Sequence, residues 1–336
     1  MLAPPMTAPR RRSRALVALL LAATACAAIA GCGNNASSGT APGESATLVL
    51  DFTPNAVHSG IYLALERDYD GAQGVRLQVQ VPSSSTDSVK LLLGGRAQFA
   101  ILDIHDLAIA REKGRDVVGV MPLVERPLAA VLAQPAIRRP RDLEGRKAGV
   151  TGLPSDDAVL SSIVTGDGGD PKRVKRVTIG FQAVSALLAR RVDAATGFWN
   201  VEGVALHDKK PATHQFLVDE YSAPPYPELV LCVARRTLDD DPALVRATTS
   251  TLERGYDEAL NDPASAVQAL VDQVPGTDRA TIQQQFDAVQ EAFVGDAPRF
   301  GALVPSTLRA WSRWEARFGI TKRPPDVRRT FAFGYQ

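Results

Sequence analysis

Short apolar runs alternate with amphipathic stretches along most of this chain, and the alternation sets the elements it predicts. Apolar or alternating runs at 47–50, 76–81, 98–102, 147–150, 174–179 and 193–196 read as strands. Between them, spacings of three and four predict helices over 59–67, 86–93, 106–112 and 183–189, and one opening at Ser155 or Asp156. Ser85 before the second helix and Gly94-Gly95 after it are suitable cap residues. This rhythm argues for an α/β fold with a largely parallel sheet covered by helices on both faces. The stretch 92–100, LLGGRAQFA, is echoed by 187–195, LLARRVDAA, which suggests two lobes built on one plan. A strand at 229–233 follows, and then the pattern turns helical at 240–260, 264–273, 281–293 and 305–318. Trp311, Trp314 and Phe318 fall at helical spacing, as core positions do.

The N-terminal pattern differs. Arg10, Arg11, Arg12 and Arg14 precede an apolar run from 15 to 30 that ends in Ile29-Ala30-Gly31-Cys32. Basic start, apolar centre and small residues before a cut describe a secretory signal over 1–31, too short for a comfortable membrane span. A Cys directly after a small pair resembles a bacterial lipoprotein cleavage site, with Cys32 as the lipidated residue. Gly, Ser, Asn, Ala and Pro dominate 32–46, the expected tether. The protein is therefore expected at the extracytoplasmic face of the cell membrane, anchored by lipid.

Composition narrows the classes. Without 1–31 the chain has 34 basic and 37 acidic residues, so no basic surplus points to nucleic acid. Its length suits two domains, and its 45% hydrophobic content suits real cores. Once Cys26 and Cys32 are set aside, Cys232 is alone, which excludes an internal disulfide or a Cys-based zinc site. Its apolar surroundings mark it as a core thiol.

Candidate chemistry clusters after strand ends, where open α/β sheets bind ligands. The loop from Asp51 and Phe52 through Asn55 to His58 and Ser59 opens the first helix, where Asn55 and Ser59 are also ordinary cap residues. Gly152-Leu153-Pro154-Ser155-Asp156 is the matching junction of the second lobe, and Ser155 or Asp156 also suits an N-cap. Phe198, Trp199, Asn200 and Glu202 combine stacking rings with directional polar groups. Tyr226 and Glu228 stand before the returning strand. No nucleophile elbow, His-Glu-x-x-His pair or P-loop occurs. The four His show no metal-ligand spacing, and Asp103 with His105 reads as a local loop contact.

Taken together, Asp51-Phe52-Thr53-Pro54-Asn55-Ala56-Val57-His58-Ser59-Gly60 resembles the Asp-Trp-x-Pro-Asn-x-x-His-x-Gly opening of solute-binding proteins of ABC importers, in the branch that binds pyrimidine precursors of thiamine. Matching stretches are Arg126-Pro127-Leu128, 142–147, 186–188, 199–202 and 228–231, so the resemblance covers about 47–318. It implies a two-lobe type II periplasmic-binding fold with lobe 1 at 47–126 and 232–336 and lobe 2 at 127–231. Crossings near 126–131 and 228–233 would form the hinge. It also implies a monomer with a small-molecule ligand, permease and ATPase partners, and no cofactor, metal or catalysis. For a flat aminopyrimidine, Trp199 would stack with Phe52 or Phe198, and Asn55, Asn200 and Glu202 would bond the ring nitrogens and amine. His58 and Tyr226 would close the pocket. Phe52 departs from the usual Trp, and Asp103-Ile104-His105 replaces a Tyr-containing segment, so riboflavin and alkanesulfonate remain alternatives. Beside them stand an enzyme related to the pyrimidine synthases, although the cysteine-rich segment of the fungal ones is absent, and a sensor lipoprotein that feeds no importer.

Overall fold

Among the described residues, ten strands form two five-stranded sheets with the same internal plan. The strands are β1 Glu44–Val49, β2 Val75–Gln80, β3 Phe99–Asp103, β4 Val117–Val124, β5 Ala129–Ala133, β6 Lys147–Val150, β7 Lys175–Thr178, β8 Ala194–Phe198, β9 His214–Leu217 and β10 Leu229–Ala234. The first sheet has the order β2-β1-β3-β10-β4 and the second β7-β6-β8-β5-β9. The structure is a computed structural model that describes residues 43–82 and 85–335, apart from the side chains of 85 and 86. All of these belong to one compact unit. The expected signal, Cys32 and the tether as far as 42 lie outside the described residues, and so does the Ser85 side chain expected as a cap.

In each sheet four strands are parallel and one is antiparallel. The antiparallel strands are β5 and β10, the first strands after the chain crosses from one sheet to the other. The crossings are the short segment 125–128 and the longer 218–228. All of β10 lies in the first sheet, so the return falls before Leu229, whereas the expected boundary stood at Cys232.

Strand interiors are apolar on both faces because helices cover both faces. Leu48, Leu50, Phe99, Ile101, Leu229, Leu231 and Val233 enter one core. Their alternate neighbours Val49, Ala100, Leu102, Val230 and Cys232 enter the other, the period-two signature of a strand. Cys232 is fully buried, and burial pushes its thiol pKa well up.

The echoed stretches occupy equivalent places. Helix Ser85–Leu93 leads to β3, and helix Ala183–Leu188 leads to β8, the third strand of each order. Strand β1 starts at Glu44 rather than Thr47, because Glu44, Ser45 and Ala46 pair with Val75, Arg76 and Leu77. The tether therefore ends before 44. Strands β4, β5 and β9 were not expected. Pro122 and Gly119 break the pattern of β4, but β4 is an edge strand, where a missing N–H is tolerated. Gly119 also lies under the Phe331 ring, and an added Cβ would meet it at 2.8 Å.

The helical C-terminal region follows the sequence, with one break. The helix expected at 240–260 is Pro242–Asn261, and a separate short helix, Arg235–Asp240, precedes it, because Asp241 accepts the Leu244 N–H and Pro242 starts the second helix. Asp262 and Pro263 repeat that device one helix later. In helix Pro305–Arg317, Trp311 and Trp314 are core residues, and the Trp314 indole N–H donates to Ser162 Oγ at 3.1 Å. That bond reaches helix Pro154–Gly166 of the second sheet. Replacing Trp311 by Ala is expected to lower unfolding stability by about 3–5 kcal/mol through cavity formation, read from the urea midpoint.

Candidate functional site

One cavity of about 1160 Å³, counted to its open mouth, lies where the carboxyl ends of β1, β3, β6, β7 and β8 face each other. Asp51, Phe52 and Asn55 come from the loop after β1, and Asp103, His105 and Asp106 from the end of β3. Thr151, Leu153, Ser155 and Asp156 follow β6, Gly180 and Phe181 follow β7, and Phe198, Asn200 and Glu202 follow β8. Glu228 and the backbone of the first crossing make the floor.

Nine of the thirteen expected binding residues line this cavity: Asp51, Phe52, Asn55, Asp103, Ser155, Phe198, Asn200, Glu202 and Glu228. His58, Gly152, Trp199 and Tyr226 do not. His58 is fully buried behind Asp51. Its Nδ1 accepts the Asn55 backbone N–H at 3.1 Å, and its Nε2–H donates to Asp51 Oδ1 at 2.8 Å. It aims the carboxylate rather than closing the pocket. Trp199 is a core residue whose indole N–H donates to the Pro127 carbonyl at 2.9 Å, so it does not stack in the cavity. Tyr226 is fully buried, with its hydroxyl 3.3 Å from His105 Nε2. Gly152 is exposed with φ of +99°, which explains why glycine stands there.

Asn55 lines the wall, but its amide is engaged locally. Its Oδ1 accepts the Val57 N–H at 3.1 Å, and its Nδ2 donates to the Thr53 carbonyl at 3.0 Å. Asn200 is the opposite case. It is fully buried, and neither end of its amide has a partner among the described residues. It sits in a π-helical turn, Trp199–Gly203, a widened geometry frequent at functional sites. Phe52 and Phe181 meet across the mouth with ring centroids 5.7 Å apart. Phe181 escaped the sequence reading, although its place after a strand end was the signal that found the others.

Six carboxyl groups line the cavity: Asp51, Asp103, Asp106, Asp156, Glu202 and Glu228. Among the described residues its lining has no Lys or Arg. Burial raises the pKa of Glu228 to about 8 and that of Asp106 to about 7, in both with help from the Asp103 charge. Burial also raises Glu202, Asp103 and Asp156, although Asp156 accepts the Thr151 N–H at 2.5 Å. Glu228 Oε2 accepts the N–H groups of Leu128 at 2.5 Å and Ala129 at 3.1 Å, while Oε1 has no partner.

His105 does not contact Asp103 through its ring. Asp103 instead accepts the His105 backbone N–H at 2.7 Å as a helix cap, and the imidazole Nδ1 bonds the buried Glu315. Burial by itself would lower the His105 pKa, but Glu315 and Asp103 outweigh it and lift it to about 10. The cation is thus committed to Glu315. Asp103, His105 and Glu228 each bring one ligand-type atom within 4.8 Å of the others, a grouping that the His spacing did not foretell.

The family model described as NMT1/THI5 like matches residues 55–266. The chain belongs to the NMT1/THI5-like family. Within that setting, the formylaminopyrimidine-binding protein of Halalkalibacterium halodurans is 29% identical over 77% of this chain and 79% of its own length. The 4-amino-5-hydroxymethyl-2-methylpyrimidine phosphate synthase of Legionella pneumophila is 22% identical, covering 80% of this chain and 83% of its own. Among solved structures, the periplasmic aliphatic sulphonate binding protein SsuA from Escherichia coli superposes with a TM-score of 0.68 at 13% identity, covering 85% of this chain and 97% of its own. This NMT1/THI5-like chain therefore has the type II periplasmic-binding fold that the first motif implied.

The raised carboxyl pKa values set a pH dependence. Folded Glu228, Asp106 and the buried Glu125, also lifted to about 8 by burial, hold protons that the unfolded chain releases above its ordinary carboxyl range. The folded state then binds more protons, so stability falls as pH rises from about 5 to 8, by up to about 1.4 kcal/mol per pH unit for each group. Urea midpoints across that window are expected to drop, and Glu228→Gln is expected to flatten the slope.

Proposed function

We propose that this chain is the extracytoplasmic solute-binding component of an ABC importer and closes its two lobes on a pyrimidine precursor of thiamine, of the formylaminopyrimidine or hydroxymethylpyrimidine type. The observation that carries the reading is a cavity with six carboxyl groups, no Lys or Arg among its described lining residues, and an unpartnered buried Asn200 amide. A ligand rich in N–H donors and ring nitrogens satisfies these groups. A sulfonate meets six carboxyl groups there and no Lys or Arg among the described lining residues. The free Glu228 oxygen, Oε1, accepts from the amine of an aminopyrimidine, while Oε2 stays with the Leu128 and Ala129 N–H groups. Asn200 can both donate and accept. Phe52, Phe181 and Phe198 take the stacking role first expected of Trp199. Riboflavin, with three fused rings and a side chain, requires Phe52 and Phe181 to part.

Binding without catalysis fits His105 in the cavity lining and His58 behind it. Both ring nitrogens of His58 and of His105 are engaged by protein groups, which leaves neither as a general base. The name of the Halalkalibacterium relative supports the ligand class, whereas the synthase names of more distant relatives mark the enzyme alternative.

Further parts of the proposal concern the lobes and the anchor. The hinge consists of 125–128 and 218–228, and ligand contacts from both lobes favour the closed form. The protein acts as a monomer, since one chain supplies the whole cavity, and its permease and ATPase partners complete the importer. Signal cleavage and lipidation at Cys32 hold it at the outer face of the membrane. Cys32→Ser is expected to move it from the membrane fraction to the soluble one.

Titration calorimetry against formylaminopyrimidine, hydroxymethylpyrimidine, riboflavin and taurine tests the ligand. Binding of one pyrimidine at micromolar affinity or tighter is expected, weakened by roughly 10- to 100-fold in Asn200→Ala. Binding of taurine or riboflavin in place of both pyrimidines overturns the ligand class.

A further inference from the structure

We infer that the C-terminal basic face of the protein is a docking surface for anionic lipid headgroups. Helix Pro305–Arg317 turns Leu308, Trp311 and Trp314 into the core. Arg309, Arg313 and Arg317 recur every four residues and are all exposed, so they form one row along its outer face. Lys322, Arg323, Arg328 and Arg329 extend the surface and are exposed as well. A solvated helix face ordinarily intersperses acids with bases. Here the helix has a single acid, Glu315, and it is buried against His105. Asp326 accepts the backbone N–H groups of Arg328 and Arg329 as a cap. Among the described residues, none of the seven basic side chains is in an ion pair.

Two adjoining grooves connect these charges. Arg309, Arg313 and Arg328 line one together with Phe333, an exposed aromatic. The other holds Lys322, Arg323 and Arg329 with three acids: Glu112 accepts the Lys322 N–H, Asp116 pairs with Arg111, and the capping Asp326 lines both grooves. The positive charge is segregated, because 305–335 has seven basic and two acidic residues while the chain from Cys32 onward has a net charge of −3. A row of unpaired cations spread over a helix and the segment after it suits an array of anions better than a single ion. An exposed aromatic beside the row suits a headgroup interface. The eleven residues between Cys32 and Glu44 reach at most about 36–40 Å, so an anchored body stays close to the leaflet. That last point rests on the proposed anchor, whereas the charge pattern does not.

The test uses residues 43–336, free of signal and anchor, sedimented with vesicles of phosphatidylcholine alone or mixed with phosphatidylglycerol. Binding to the mixed vesicles alone is expected, weakening at high salt and persisting against an equal concentration of inorganic phosphate. The triple variant Arg309→Gln/Arg313→Gln/Arg317→Gln is expected to partition roughly tenfold or more weakly. It should keep the calorimetric response of the parent to every small ligand, whatever that response is. Equal binding to both vesicle types, displacement by phosphate, or unchanged partition of the triple variant overturns the proposal. The last outcome would assign the row to a protein partner such as a permease. None of these outcomes depends on which solute the cavity takes.

Discussion

Glu228 is the group on which both the junction of the two crossings and the cavity depend. One carboxyl oxygen accepts the N–H groups of Leu128 and Ala129, and so ties the end of the second crossing to the start of β5. Its backbone N–H donates to the Val124 carbonyl, and its carbonyl accepts the Ile104 N–H. The other carboxyl oxygen is unpartnered at the cavity floor. A buried carboxyl with a free oxygen and no cationic partner keeps its proton or meets a ligand, because an isolated buried charge is costly. The position therefore joins the lobe connection and the cavity lining through one side chain.

The rest of the cavity obeys the same electrostatic rule. Acids gather on both lobes, and the one buried cation beside them, His105, is bound by Glu315 from the C-terminal helix. Residues first expected at the ligand turn out to stand one layer behind it. His58 orients Asp51, Trp199 fixes the turn after β8 to the first crossing, and Tyr226 packs on His105 and Trp314. Large aromatic side chains are buried where their polar atom finds a fixed partner, and the cavity surface is left to smaller polar groups and to phenylalanines.

The two lobes solve the same folding problem twice. Each sheet takes four parallel strands with helical connections and admits one antiparallel strand arriving from the other lobe. Because each crossing strand enters next to the third strand of the order, the ends of the parallel strands face one another across the short 125–128 and the longer 218–228 segments. The cleft is a consequence of that exchange, and its floor is made of the exchanged segments themselves.

Local signals were enough for most elements. Apolar or alternating runs marked β1, β2, β3, β6, β7, β8 and β10, and helical spacing marked the C-terminal helices, because periodicity acts within a few residues. The strand-end rule and the first loop motif also located nine cavity residues. Sequence could not order side chains within a motif: Asn200 faces the cavity and Trp199 the core because a π-helical turn, stabilised by contacts from the first crossing, rotates them apart. It could not show β4, whose Pro122 and Gly119 look like linker until the edge position and the overlying Phe331 ring explain them. Nor could it foresee that His105 would meet Glu315 some 210 residues away, or that Phe52 would meet Phe181 across the mouth. Those pairings depend on which strand ends the crossings bring together, and that is a property of chain topology rather than of any local run of residues.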